Sequence, residues 1–167
     1  RYDILVLEFG TRPEVVAWAK KYVENNKDRN FILLTHEFLV APPPGHRVSD
    51  GWSGAERQFK DIPASTPQYV WDEIVFPNDN VRCVLCGHNS FSLQVYNKNA
   101  AGRQVPQILF NLQYVKNGGN GLVQLWRIPK DGGDIDVKVY NTLTNTLYRD
   151  SIDEEFNWHQ TEFHFPL

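Results

Sequence analysis

Phe31-Ile32-Leu33-Leu34-Thr35-His36-Glu37 and Val81-Arg82-Cys83-Val84-Leu85-Cys86-Gly87-His88-Asn89-Ser90 follow one plan: an apolar run that ends at a histidine. An apolar run of this length, bounded by polar residues, suits a strand covered on both faces. Open α/β sheets gather their chemistry at the carboxyl ends of such strands. Two imidazoles at two such ends can share one metal ion, and imidazole suits zinc, iron, manganese or nickel to differing degrees. The competing reading is two unrelated polar residues at strand ends.

Outward from these runs, the first half of the chain alternates strands and helices. Tyr2 to Phe9 reads as a central strand. Thr11-Arg12-Pro13-Glu14 fits a capping box with an early proline. The helix that follows is expected to bury Val15, Ala19, Tyr22 and Val23, with Lys20, Lys21 and Glu24 outside. Asn25-Asn26-Lys27-Asp28 ends it, and the next strand leads to His36. Ala41 to Ala64 is a long irregular stretch, rich in Pro, Gly, Asp and Ser, placed to hang over the site; loops of that length are often functional. Thr66-Pro67 starts a second helix carrying Tyr69, Val70, Trp71 and Ile74. Pro77-Asn78-Asp79-Asn80 turns the chain into the run that ends at His88.

After Ser90 the pattern is all-β. Phe91 to Tyr96, Val105 to Tyr114, Gly121 to Ile128 and Ile135 to Tyr140 read as strands. Lys116 to Gly121 and Lys130-Asp131-Gly132-Gly133 read as hairpin turns. Leu147 to Leu167 is a last strand or a loosely packed tail. The expected class is α/β (α+β): residues 1–90 form the strand-helix part with the two histidines, and residues 91–167 form β-hairpins of a second sheet.

Composition bounds the function. A chain of 167 residues can bury a sizeable core in one domain. Seventeen basic and twenty acidic residues give a net charge of −3 with no basic block, which argues against a grip on nucleic acid through phosphate neutralisation. No apolar stretch has the length of a membrane span. Cys83 and Cys86 stand three apart on one strand, so their sulfurs point to opposite faces and read as buried, inert thiols.

The two histidine motifs resemble a known family. "ILLTHE" and, about fifty residues later, "VLCGHNS" are similar to the last two metal motifs of calcineurin-like metallophosphoesterases. "LVLEFGTRPEVVAWAKKYVENNKDRNFILLTHEFL", "YVWDEIVFPNDNVRCVLCGH" and "FNLQYVKNGGNGLVQLWRI" resemble the secreted bacterial branch, so the likeness runs over residues 2–140. It implies the C-terminal half of a four-layer α-β-β-α sandwich. It implies His36 and His88 as ligands in a two-metal centre of divalent or trivalent ions (Zn, Mn or Fe), incomplete in this chain. The family's first three motifs, Asp-x-His, Gly-Asp-x-x-Asp and Gly-Asn-His-Asp/Glu, have no match here. Asp3 lacks a histidine two residues on, and Asp131-Gly132-Gly133-Asp134 follows the Gly-His motif instead of preceding it. With no methionine in the chain, the expected partner is a missing N-terminal half of the same enzyme. The final motif normally reads Gly-His-x-His, and Ser90 takes the place of its second histidine; a hydroxyl is a poor replacement.

The resemblance also implies a phosphoester substrate and a secreted or periplasmic location. The leaving-group acid belongs to the missing third motif, so no catalytic residue is assigned in this chain. Arg47, His46 and Asn89 are candidates for substrate contact, since Arg47 carries a planar fork suited to phosphate; a solvated loop is the plainer reading for His46 and Arg47. His159 and His164 read as structural or exposed, and Asp153-Glu154-Glu155 as a solvated turn. Two other functions stay open. One is a degenerate family member that binds without turnover, to which Ser90 points. The other is an aromatic-rich β module that binds carbohydrate, supported by the Trp and Tyr content and by the hairpins after Ser90.

Overall fold

The structure is a computed structural model that describes residues 2–40, 46–47, 55, 58–130, 132–148 and 162–166. In chain order the elements are β1 (Tyr2–Val6), α1 (Pro13–Glu24), β2 (Asn30–Leu34), β3 (Leu39–Val40), β4 (His46–Arg47) and α2 (Pro67–Val70). A π-helical turn, Trp71–Val75, continues α2. Then come β5 (Val81–Cys86), β6 (Phe91–Lys98), β7 (Gln104–Asn111), β8 (Leu122–Arg127), β9 (Asp134–Asn141), β10 (Thr146–Leu147) and β11 (Glu162–Pro166).

The first sheet has the order β1-β2-β5-β7-β6. β1, β2, β5 and β7 run parallel to their neighbours and β6 returns antiparallel. Strand pleating sends alternate residues to opposite faces. Leu5, Leu33, Val84 and Leu109 face the helical layer, where they meet Val16, Ala19, Val23, Trp71 and Ile74. Ile32, Cys83 and Ile108 face the other way and meet Ile135, Val137, Phe163 and Phe165 of the second sheet. Each such aliphatic side chain, once buried, contributes about 1.5–3 kcal/mol. The second sheet is β9 flanked by β8 and by β10 and β11. Mixed α+β content in three layers, helices, sheet and sheet, thus follows from two-sided burial of β2, β5 and β7.

Several local expectations are corrected. β1 ends at Val6 and lies at the edge of the sheet, with Ile4 and Val6 each 63% exposed, so it is not central. The capping box does not form: Arg12 is the N-cap without a side-chain cap bond, and the Thr11 hydroxyl donates instead to Glu8 O. On α1 it is Val16 that joins Ala19 and Val23 in the core, while Tyr22 stays exposed beside Trp18. α2 does begin as expected, with the Thr66 hydroxyl accepting from Tyr69 N at 3.1 Å.

β6 and β7 belong to the first sheet, so the second sheet begins at β8 and not after Ser90. Lys116 to Gly121 is consequently a crossover between sheets; the turn through Gly132 and Gly133 does join the paired strands β8 and β9. The tail contributes β11, with His164 opposite Asp136. Most of the stretch from Ala41 to Ala64, together with His159 and Asp153-Glu154-Glu155, lies outside the described residues. No described helix is long and apolar enough to cross a membrane.

Candidate metal centre

β2 and β5 are parallel, hydrogen-bonded neighbours, so their carboxyl ends lie side by side. Two further bonds extend that pairing past the strands: Thr35 N donates to Leu85 O at 3.0 Å and Gly87 N to His36 O at 2.9 Å. The chain then turns sharply, with Asn89 N donating to Gly87 O at 2.8 Å. His88 sits in this turn at φ 60°, the left-handed region that costs a non-glycine residue about 1–2 kcal/mol. Asn111, at the end of β7, repays part of that by donating Nδ2–H to the His88 carbonyl at 2.6 Å. A Cβ at Gly87 would find its nearest neighbours at 3.9 Å, an ordinary contact, so crowding does not select this glycine.

The result is a close pair of imidazoles. His36 Nε2 and His88 Nδ1 are 3.0 Å apart. Without an ion this is a hydrogen bond between two rings. The same spacing lets both nitrogens reach one ion at about 2.0–2.1 Å, the usual metal–imidazole distance. Burial, and then the neighbouring His88, hold the His36 pKa below its ordinary value against the opposing pull of Glu37. A neutral imidazole is the form that ligates metal. The donor set therefore fits a metal ion, but only in part: among the described residues no group of three or more His, Cys, Asp or Glu side chains converges.

Phe9 completes the wall. Its ring centroid is 4.6 Å from that of His36 and 4.8 Å from that of His88. Phe59 meets the Phe9 ring edge-on at 5.5 Å. Sequence reading missed Phe9 and Asn111. Phe9 follows the carboxyl end of β1 and Asn111 is the last residue of β7, strands that adjoin β2 and β5, so both carry the positional signal that singled out the histidines.

The three candidate substrate residues are placed differently. Asn89 Nδ2 donates to Leu39 O at 2.8 Å and lies 3.5 Å from Glu37 Oε1, so it braces the turn against β3. Arg47 is clamped within the helical side of the sheet. Its Nε donates to Gln68 Oε1 at 2.8 Å, and its Nη1 donates to Asn97 Oδ1 at 2.7 Å and Gln107 Oε1 at 2.9 Å. Its guanidinium carbon lies 4.3 Å from the centroid of the Trp71 ring. Burial pulls its pKa down, only partly offset by Asp72. His46 pairs through its backbone with Val40. The structure brings His36 and His88 together, ties Asn89 beside them, and uses Arg47 as an internal clamp.

Both thiols are free and buried. Cys83 packs between the sheets and Cys86 on the helical side, the opposite faces their spacing implied. Burial raises both pKa values, that of Cys86 to about 12. Neither is a thiolate at neutral pH.

No family model matches the chain. It is 28% identical over 146 residues to a Bacillus subtilis (strain 168) protein described as "Uncharacterized protein YvnB", a match that covers 84% of this chain and 10% of that protein. The chain thus spans about a tenth of that relative's length.

Proposed function

We propose that this chain is part of a metal-dependent phosphoesterase of the calcineurin-like kind, secreted or periplasmic, acting on phosphate mono- or diesters. One observation carries the reading: two histidine nitrogens 3.0 Å apart at the carboxyl ends of adjacent parallel strands. His36 and His88 would hold a zinc, manganese or iron ion. Such an ion supplies positive charge against phosphoryl oxygens and makes water a stronger nucleophile at neutral pH. The net reaction adds water across a P–O bond and releases an alcohol and a phosphate. In this chain Asn111 fixes the His88 backbone, Phe9 packs against the two rings, and partial desolvation lowers the His36 pKa.

The remaining ligands would come from the N-terminal half of a four-layer sandwich, packed where β1 presents Ile4 and Val6. Beside them a cavity of about 450 Å³ runs from Val6 and Leu34 to His36 and Gly87. The chain alone would be inert and bind metal weakly. The test is to join the chain to its upstream segment and assay hydrolysis of a phosphate monoester and a diester with added Mn²⁺ or Zn²⁺. Metal-dependent turnover lost in His88→Ala supports the reading, and turnover retained in that variant ends it. Metal and phosphate binding without turnover would instead favour a degenerate, ligand-holding member, the role to which Ser90 points.

A further inference from the structure

A second cavity adjoins the histidines across the Phe9 ring. It has a volume of about 510 Å³ and is bounded by Phe9, Phe59, Ile62 and Pro63, with Glu8, Arg12, Glu14 and Asp61 also lining it. That is the size range of small-molecule sites, which are mostly apolar with a few polar groups that orient the ligand. Phe9 is common to both places: one ring touches His36, His88 and Phe59. Ile62 is 47% exposed, so an apolar surface next to a polar centre is open to solvent.

The charged groups sort the ligand. Arg12 is already engaged, its Nε 2.9 Å from Glu8 Oε1 and its Nη1 3.4 Å from Glu14 Oε1. Three carboxylates against one guanidinium leave the lining net acidic. A phosphate is repelled there, while an uncharged ring gains by leaving water. That charge balance suits an uncharged organic group at the phenylalanines and leaves an anion to the histidines on the other side of the Phe9 ring.

We propose that the Phe9–Phe59 cavity holds the alcohol portion of the substrate, an uncharged aromatic or bulky apolar group, while its phosphate lies at His36 and His88. This rests on the phosphoester reading above, but the cavity can be tested without it. A ring the size of naphthalene fits the volume, and its burial against two phenyl faces improves affinity roughly tenfold or more over inorganic phosphate.

The first experiment uses the 167-residue chain without metal and 1-naphthol as probe, followed by NMR of the aromatic and methyl groups. Saturable shifts at Phe9, Phe59 and Ile62 support the cavity, and their absence at millimolar naphthol overturns it. The second adds Zn²⁺ and compares 1-naphthyl phosphate with inorganic phosphate. The expected result is roughly tenfold tighter binding of the ester, a ratio that collapses toward one in Ile62→Asp and in Phe59→Ala. Ile62 is half exposed, so its variant tests the site even where loss of Phe59 harms folding. An unchanged ratio in folded Ile62→Asp overturns the proposal. Naphthol shifts in a chain that binds neither phosphate with metal would uphold the cavity, and the phosphoesterase reading would then stand or fall on the chain joined to its upstream segment.

Discussion

Asn111 holds His88 by its backbone: Asn111 Nδ2 donates to the His88 carbonyl oxygen at 2.6 Å while His88 stands at φ 60°. Left-handed residues that are not glycine persist where surrounding contacts over-determine them, and they cluster at functional sites. Removing the amide in Asn111→Leu should cost about 1–2 kcal/mol of stability. It should also weaken metal binding at His36 and His88, because the turn loses its register. Urea unfolding and a Zn²⁺ titration measure the two effects; a normal titration in the folded variant would show that Asn111 braces the fold only.

The strain at His88 gives a comparison free of that ambiguity. His88→Gly and His88→Ala both delete the imidazole, yet only glycine adopts φ 60° without cost. His88→Gly should therefore be more stable than His88→Ala by about 1 kcal/mol. Equal unfolding midpoints would mean that the turn relaxes once the ring is gone.

How much of this was legible in sequence depends on locality. The runs ending at His36 and His88 announced themselves, because two-sided burial leaves an unbroken apolar stretch in one short window. β1 was misread as central for the same reason: Ile4 and Val6 are as apolar as buried residues, and exposure depends on which neighbours are present. The crossover through Lys116–Gly121 carries the glycine and asparagine of a hairpin turn. Only its long-range partners, β5 for β7 and β9 for β8, show that it changes sheets. Arg47 read as a solvated loop residue or a candidate for phosphate contact, because its acceptors, Gln68, Asn97 and Gln107, lie 21 to 60 residues away.

The Arg47 clamp makes a quantitative prediction. Gln107 is fully buried, and its carbonyl and that of Asn97 share the same guanidinium nitrogen. In Arg47→Met these oxygens lose a charged donor, which should cost about 2–4 kcal/mol. Arg47→Lys should recover less than half, since one ammonium cannot reproduce a planar fork lying on the Trp71 ring. Denaturant midpoints with unchanged slopes would measure both. A mild loss in the Met variant would show that solvent replaces the clamp.

Acid stability should depend on Asp79. Its Oδ1 accepts from Asn99 Nδ2 at 2.9 Å and from Arg103 Nε at 2.8 Å, and these contacts hold its pKa below the ordinary carboxylate value. A carboxylate depressed in the folded state stabilises above its unfolded value, near pH 3.9, and loses that contribution as pH falls through the lower folded value. The group is half exposed, so screening keeps the contribution below about 1 kcal/mol. Asp79→Asn should be less stable than the parent at pH 6, with the gap closing toward pH 3. A gap that stays constant over that range would assign the loss to packing rather than to charge.

The open side of the first sheet sets the last expectation. β1 pairs only with β2 among the described residues, and Ile4, Val6 and Leu34 form an apolar strip on the face that the second sheet leaves uncovered. An unpaired strand edge beside exposed apolar side chains favours association with another chain. The chain should therefore self-associate with rising concentration in sedimentation velocity. Val6→Lys should shift it toward monomer while changing stability by no more than about 0.5 kcal/mol, because the side chain is largely exposed already. A parent chain that stays monomeric at every concentration would remove the argument that this face awaits a partner.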